Sequence, residues 1–346
     1  MFWQAHHQPD FTQFLKVLQR DSRPAHLPSY EHVVSGEFIE AWMGTPWCAL
    51  PMHNRDKWRT YVDFWMSMGF DCVPMEVLLD CPLPKKDTRR GAGSEERVVI
   101  TSMEDFERYA WPSEAAPIDF APFEMVSQML PDGVKIVGGV GMGPYEWAST
   151  MLGTEGMAFA LMDQAELVRA VFAKLGDLIV AADKVLAQMD SIGALRQGDD
   201  LGFRTSTFLS PDQLRELVFP TYRRMTDVAH AAGKPFVLHS CGQLEAVYDD
   251  LIDDCRIDAK HSFEEAILPV EQFKARWGDR VTPLGGLDVD MICRGSEDQI
   301  RAYTRRKIEQ CFADGYWAIG TGNSLTDYMP IQNYRIVLEE ARQVRA

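Results

Sequence analysis

Short apolar runs recur along this chain, separated by longer amphipathic stretches, and that alternation limits its fold more than any other feature. The runs are "HLPSYEHV" near residue 30, "GFDCVPMEVLL" near 75, "KIVGGVGMG" near 139, "ALRQGDDLGF" near 198 and "KPFVLHSCG" near 238. "RIDAKHSFE", "VTPLGGLDV" and "YWAIGTGNS" complete a series of about eight. Each has the length of a strand. Neighbouring strands joined by helices run parallel, because a parallel pair needs a long crossover. About eight such units, with polar residues at the ends of many runs, predict a single-domain (β/α)8 TIM barrel over residues 1–346. A helical lead-in is expected over about residues 1–25, and the charged stretch "PLPKKDTRRGAGSEERVV" predicts an exposed insertion over about 82–99. A doubly wound sheet has less support, since no G-x-G-x-x-G follows the first strand. "GGVGMG" lacks the Lys-Ser/Thr ending of a phosphate loop and reads as a close-packed strand and turn.

The helices announce their ends. "SPDQLRELVFPTYRRMTDVAHAAG" predicts one helix with Ser210 as N-cap, Pro211 in the first turn and Gly233 as terminator. "SEDQIRAYTRRKIEQCFADG" repeats the pattern with Ser296 and Gly315. "DQAELVRAVFAKLGDLIVAADKVLAQM" carries apolar residues at three- and four-residue spacing.

Charge narrows the partners. The formal net charge is −16, which argues against nucleic acid, whose phosphates require clustered Lys and Arg. No apolar run approaches the roughly 20 residues that span a bilayer, and the N-terminus lacks the basic start and apolar core of a secretion signal. Seven scattered cysteines suit free thiols in a reducing cytoplasm, so a cytoplasmic location and a small-molecule substrate are expected.

In a barrel the chemistry sits at the carboxyl ends of the strands. Those ends carry Tyr30 and Glu31, Glu76, Glu146, Asp199 and Asp200, His239 and Cys241, Lys260, His261 and Glu264, Asp288, Thr321 and Asn323. His239 and Cys241 are two residues apart at a strand end, where i and i+2 share a side, so both could point at one metal ion. The same spacing also suits a strand end with one buried imidazole and one small thiol. Asp199 and Asp200 are candidates for turn capping, with one of the pair expected to cap. Asp288 reads as a helix N-cap. Glu76 is flanked by Val73, Met75 and Val77, so burial without a partner and a raised pKa are expected of it.

"KPFVLHSCG", "KHSFEEAILPVEQFKARWGDRVTPLGGLDV" and "DGYWAIGTGNSLTDYMPIQNY" resemble the uroporphyrinogen decarboxylase superfamily, as does "RQGDDLGFRTSTFLSPDQLRELVFP" before the H-x-C strand. The likeness runs from about residue 12 to the end and is strongest after residue 195. It implies a (β/α)8 barrel and one of two chemistries. The decarboxylases carry an entry segment with two arginines for substrate carboxylates; here the matching stretch is "RPAHLPSYEHV", with Tyr30 and Glu31 instead. Their catalytic aspartate corresponds to Glu76, and their late histidine is replaced within "GTGNS". Uroporphyrinogen itself is therefore not the expected substrate.

The zinc-dependent methyltransferases of the same superfamily move methyl groups between corrinoid proteins and thiols such as coenzyme M. They share His239-x-Cys241, and their third zinc ligand, a late cysteine, corresponds to Asn323. The resemblance implies zinc at His239 and Cys241, completed by a carboxylate among Glu31, Glu76 and Glu146, and a corrinoid methyl donor carried by a partner protein. On this reading Glu76, Asp200 and His239 are catalytic, while Tyr30, Glu31, Glu146, His261 and Asn323 contact substrate. A metal-free decarboxylase or lyase acting on a small carboxylated substrate is the alternative. A binding barrel without catalysis is the third reading, disfavoured by the cost of so many polar strand ends.

Overall fold

The structure is a computed structural model and describes residues 8–84 and 97–344. Most of the anticipated insertion, and the start of the lead-in, lie outside the described residues. Six parallel strands pair in sequence order: β1 Cys72–Leu78, β2 Lys135–Gly141, β3 Ile192–Gly198, β4 Phe236–His239, β5 Ala259–His261 and β6 Thr282–Pro283. The first and last expected strands are too irregular for ladders and survive as isolated parallel bridges, Ser29 to Ile319 and Leu284 to Ala318. Tyr30 N–H donates to the Ile319 carbonyl at 2.9 Å, and Ile319 N–H to that of Pro28 at 2.9 Å, joining the start of the barrel to its end. The fold is a (β/α)8 barrel with helices between its strands.

The two-residue period of the strands explains how the barrel is filled. One residue from each of the eight parallel segments forms an apolar layer: Tyr30, Cys72, Val137, Ala194, Val237, Ala259, Leu284 and Ala318. The helix Phe11–Gln19 closes the barrel beneath this layer with Phe11, Phe14, Val17 and Leu18. Phe14 stacks on Tyr30 with ring centroids 5.7 Å apart. Two residues further along four of the segments, the same inward positions are polar: His32, Arg196, His239 and His261, all buried. The barrel is thus apolar below and ionisable above.

The capping residues act as expected. Ser210 and Ser296 each accept from the backbone three residues on, and Gln213 and Gln299 return the bond. The helix expected to run unbroken to Gly233 is instead two, Pro211–Leu217 and Phe219–Ala231. Pro220 lacks the N–H that continuation would need, and the chain breaks at Val218, two residues ahead of it. Glu264 opens a turn, its carbonyl accepting from Ile267 and Leu268 N–H, and the next helix begins at Val270.

Asp183, within the long helix Ala165–Ala187, is fully buried, and neither carboxyl oxygen has a hydrogen-bond partner among the described residues. Burial drives its pKa well above the ordinary range, so the folded state holds it neutral while the unfolded chain ionises it. This contribution is fully present below the unfolded pKa of about 3.9 and is lost as pH rises towards the folded value. Asp183→Asn should therefore gain stability relative to wild type as pH rises from 5 to 6. Urea denaturation at both pH values checks it; a constant difference contradicts it.

Candidate functional site

The inward polar layer opens upwards into a cluster built from the ends of β3, β4 and β5 and the closing segment near residue 321. His239, at the end of β4, is buried, and Cys241 follows it just beyond the strand. Cys241 Sγ lies 3.5 Å from His239 Nε2. Asp200 Oδ1 lies 3.6 Å from the same nitrogen and accepts the Cys241 N–H at 2.9 Å. Asn323 Nδ2 donates to Cys241 Sγ at 3.3 Å, and Ser262 Oγ sits 3.2 Å from that sulfur. Burial and the Asp200 charge push the Cys241 thiol up to about 12. Burial also works against ionised Asp200, but the His239 ring and the Cys241 N–H hold it down at about 2.

Two groups of side chains among the described residues could hold a metal ion: His32, His239 and His261, and Asp200, His239 and Cys241. The three-histidine group fits poorly. His32 stacks on His239 with centroids 3.9 Å apart and planes at 14°, whereas imidazoles sharing an ion must aim their in-plane lone pairs at one point. The second group fits zinc. Tetrahedral zinc with Zn–N near 2.0 Å and Zn–S near 2.3 Å places the N and S ligands about 3.5 Å apart. That matches the observed 3.5 Å between Cys241 Sγ and His239 Nε2. Three protein ligands leave a fourth position open, the pattern of catalytic rather than structural zinc.

Of Glu31, Glu76 and Glu146, the carboxylates expected to complete the site, the first two are engaged elsewhere. Glu31 is completely buried, and its oxygens accept from Thr321 N–H at 2.7 Å, Thr321 Oγ1 at 2.6 Å and Tyr334 O–H at 2.9 Å. It clamps the first segment to the last and does not face the mouth. Tyr30 likewise belongs to the apolar layer, its O–H directed at His32 Nδ1, 3.3 Å away, and is no substrate contact. Glu76 is about 30% exposed and ion-paired with Arg196 of β3. The unpartnered carboxylate expected there does not exist, because β3 brings a guanidinium beneath it. His261 is fully buried with both ring nitrogens occupied, so it too lies behind the site rather than against substrate.

Asp199 and Asp200 divide the roles anticipated for the pair. Asp199 accepts from the N–H groups of Tyr145 and Glu146 and from Tyr222 O–H, at 3.1, 2.9 and 2.9 Å. It thereby holds the first turn of the helix Pro144–Leu152. Gly143 makes this possible, since a Cβ there would lie 2.3 Å from Asp199 Cβ. Glu146, in that first turn, is pushed up to about 9 by burial and by the charges of Asp199 and Asp200, and is a carboxylic acid at neutral pH. Asp288 is the N-cap of Val289–Arg294. Lys260 points outward between strand and helices, its Nζ 4.3 Å from the Phe263 ring centre, and burial lowers it to about 8. Asn323 also lines a cavity of about 490 Å³ with Phe263, Glu264, Asp288 and Tyr328.

His32 and Arg196 were not singled out from the sequence. Both stand two residues after a member of the apolar layer, so counting the strand period onwards from Tyr30 and Ala194 finds them.

Fold and cluster together define a (β/α)8 barrel with a His–Cys–Asp group at its mouth. The chain belongs to the uroporphyrinogen decarboxylase family, whose profile matches residues 85–344. A methyltransferase from Methanosarcina mazei is similar in structure, with a TM-score of 0.69 and 18% identity over 97% of this chain and 99% of that one. A protein described as a vitamin-B12-independent methionine synthase from Listeria monocytogenes is more distant, with a TM-score of 0.45 and 13% identity over 92% of this chain and 94% of that one. No curated protein matches in sequence. No helix among the described residues is long and apolar enough to cross a membrane.

Proposed function

We propose that this chain is an enzyme that transfers a methyl group to a small thiol at a zinc site formed by Asp200, His239 and Cys241. The observation that carries the reading is the convergence of these three ligand atoms at the barrel mouth with the spacing of tetrahedral zinc. Zinc held there would supply the positive charge that makes a bound thiol a nucleophilic thiolate at neutral pH. The chain's own residues do the rest. Asn323 hydrogen-bonds the Cys241 sulfur and fixes the side of the site nearest the cavity. Glu76 consumes the charge of Arg196, so that cation is not free for a polycarboxylate, which the ionised Asp200 would also repel. The structural likeness to the Methanosarcina methyltransferase supports the reading, and a corrinoid carried by a partner protein is the proposed methyl donor.

One observation favours the lyase alternative: Glu146, neutral and close to the site, could protonate a carbanion left by decarboxylation. An assay separates the two. Zinc-loaded protein with methylcobalamin and 2-mercaptoethanesulfonate should form the methyl thioether, and a chelator should stop it. Chelator-insensitive release of carbon dioxide from a small carboxylic acid, without methyl transfer, overturns the proposal in favour of the lyase.

A further inference from the structure

The cavity of about 490 Å³ beside Asn323 opens at the same end of the barrel as the proposed metal ligands, and its charge is one-sided. Its walls come from the segments that follow β5 and β6 and from the closing segment. Asn323 belongs both to this cavity and to the cluster, donating to Cys241 Sγ at 3.3 Å. The volume is that of a small-molecule pocket. Among the described residues, the lining includes four carboxylates, Glu264, Glu265, Asp288 and Asp290, and no Lys or Arg. Two of the four are neutralised from outside the cavity, Glu265 by Lys307 at 2.6 Å and Asp290 by Arg294 at 2.8 Å. Glu264 and Asp288 meet no Lys or Arg at ion-pair distance among the described residues. Asp288 caps its helix through Oδ1, which accepts the Asp290 N–H at 2.9 Å. Lys260, whose charge acts on Glu264, is turned to the Ser262 carbonyl and does not line the cavity.

We propose that this cavity receives the charged end of the thiol substrate, and that Glu264 and Asp288 select an ammonium-bearing thiol over an anionic one. In making the occupant a thiol, the inference rests on the function proposed above; the preference of the cavity for a cation does not. A cleft lined by one sign of charge focuses its field and concentrates the opposite ion. Two uncompensated carboxylates attract an ammonium and repel a sulfonate, so both effects widen the difference between the two. Tyr328, largely exposed, adds a ring whose face also attracts a cation. Asn323 joins cavity and cluster, so one short molecule can keep its charged end in the cavity and its sulfur beside Cys241. The 2-mercaptoethanesulfonate of the assay above carries the reacting group but the wrong charge for this cavity.

Isothermal titration with two thioethers, 2-(methylthio)ethylamine and 2-(methylthio)ethanesulfonate, tests the preference without a methyl donor. The amine should bind at least about tenfold more tightly at low salt, and the margin should shrink as salt screens the charges. Glu264→Gln and Asp288→Asn together should cut that margin at least about fivefold. Glu264 is exposed and Asn caps a helix as well as Asp, so the double variant keeps the fold. Equal binding, tighter binding of the sulfonate, no binding of either, or an unchanged margin in the folded double variant overturns the inference. In the methyl-transfer assay, 2-aminoethanethiol should exceed 2-mercaptoethanesulfonate in kcat/KM by a similar factor. If the amine is preferred and the double variant loses the preference, but no methyl is transferred, the inference stands for the cavity and the zinc-based function falls.

Discussion

Cys241→Ala should abolish stoichiometric zinc binding while leaving the barrel folded. Cys241 Sγ is the one soft ligand in the proposed group, placed 3.5 Å from His239 Nε2. Without it an imidazole and a carboxylate remain, too few for a closed set of three. Loss of a direct ligand should cost more than the roughly 100-fold expected of an outer partner. The fold should tolerate the change, because Cys241 is only half-buried and lies beyond the end of β4. Isothermal titration with zinc checks the prediction, with circular dichroism as the folding control. Unchanged affinity in the folded variant would remove Cys241 from the site.

Asn323→Cys should act in the opposite direction. The zinc-dependent methyltransferases that this chain resembles place a late cysteine at the corresponding position. Here Asn323 Nδ2 already reaches to 3.3 Å from Cys241 Sγ, so a sulfur at this position would enter the same space. The group would then offer two thiolates, an imidazole and a carboxylate, a complete tetrahedral set. Zinc affinity should rise by at least about tenfold, and turnover should fall as the open position closes. A competition titration reads the first effect and the methyl-transfer assay the second. A variant with neither effect would place residue 323 outside the ligand sphere.

Much of this was legible in the sequence, for definite physical reasons. Strand and helix periods differ, so the alternation that defines the barrel is visible in apolar spacing alone. The capping boxes at Ser210 and Ser296 are local signals, and the structure forms both. His239 and Cys241 were found because the i, i+2 rule is local to one strand. What escaped notice depends on contacts between distant segments. Glu31 and Glu76 looked alike in sequence, each a carboxylate after an apolar run. One meets Thr321 and Tyr334, the other Arg196, and neither partner is near in the chain. Asp200 was distinguished from Asp199 only by the strand beside it, whose Cys241 N–H it accepts. The break at Pro220 was legible and was missed, because the caps at both ends outweighed the proline between them.

The most direct test of the account is anomalous diffraction at the zinc edge from crystals of the wild-type protein soaked in zinc. The account predicts a single strong peak within bonding distance of His239 Nε2, Cys241 Sγ and an Asp200 oxygen, about 2.0–2.3 Å from each. No peak at that position in zinc-saturated crystals, or a peak coordinated by other residues, would contradict it.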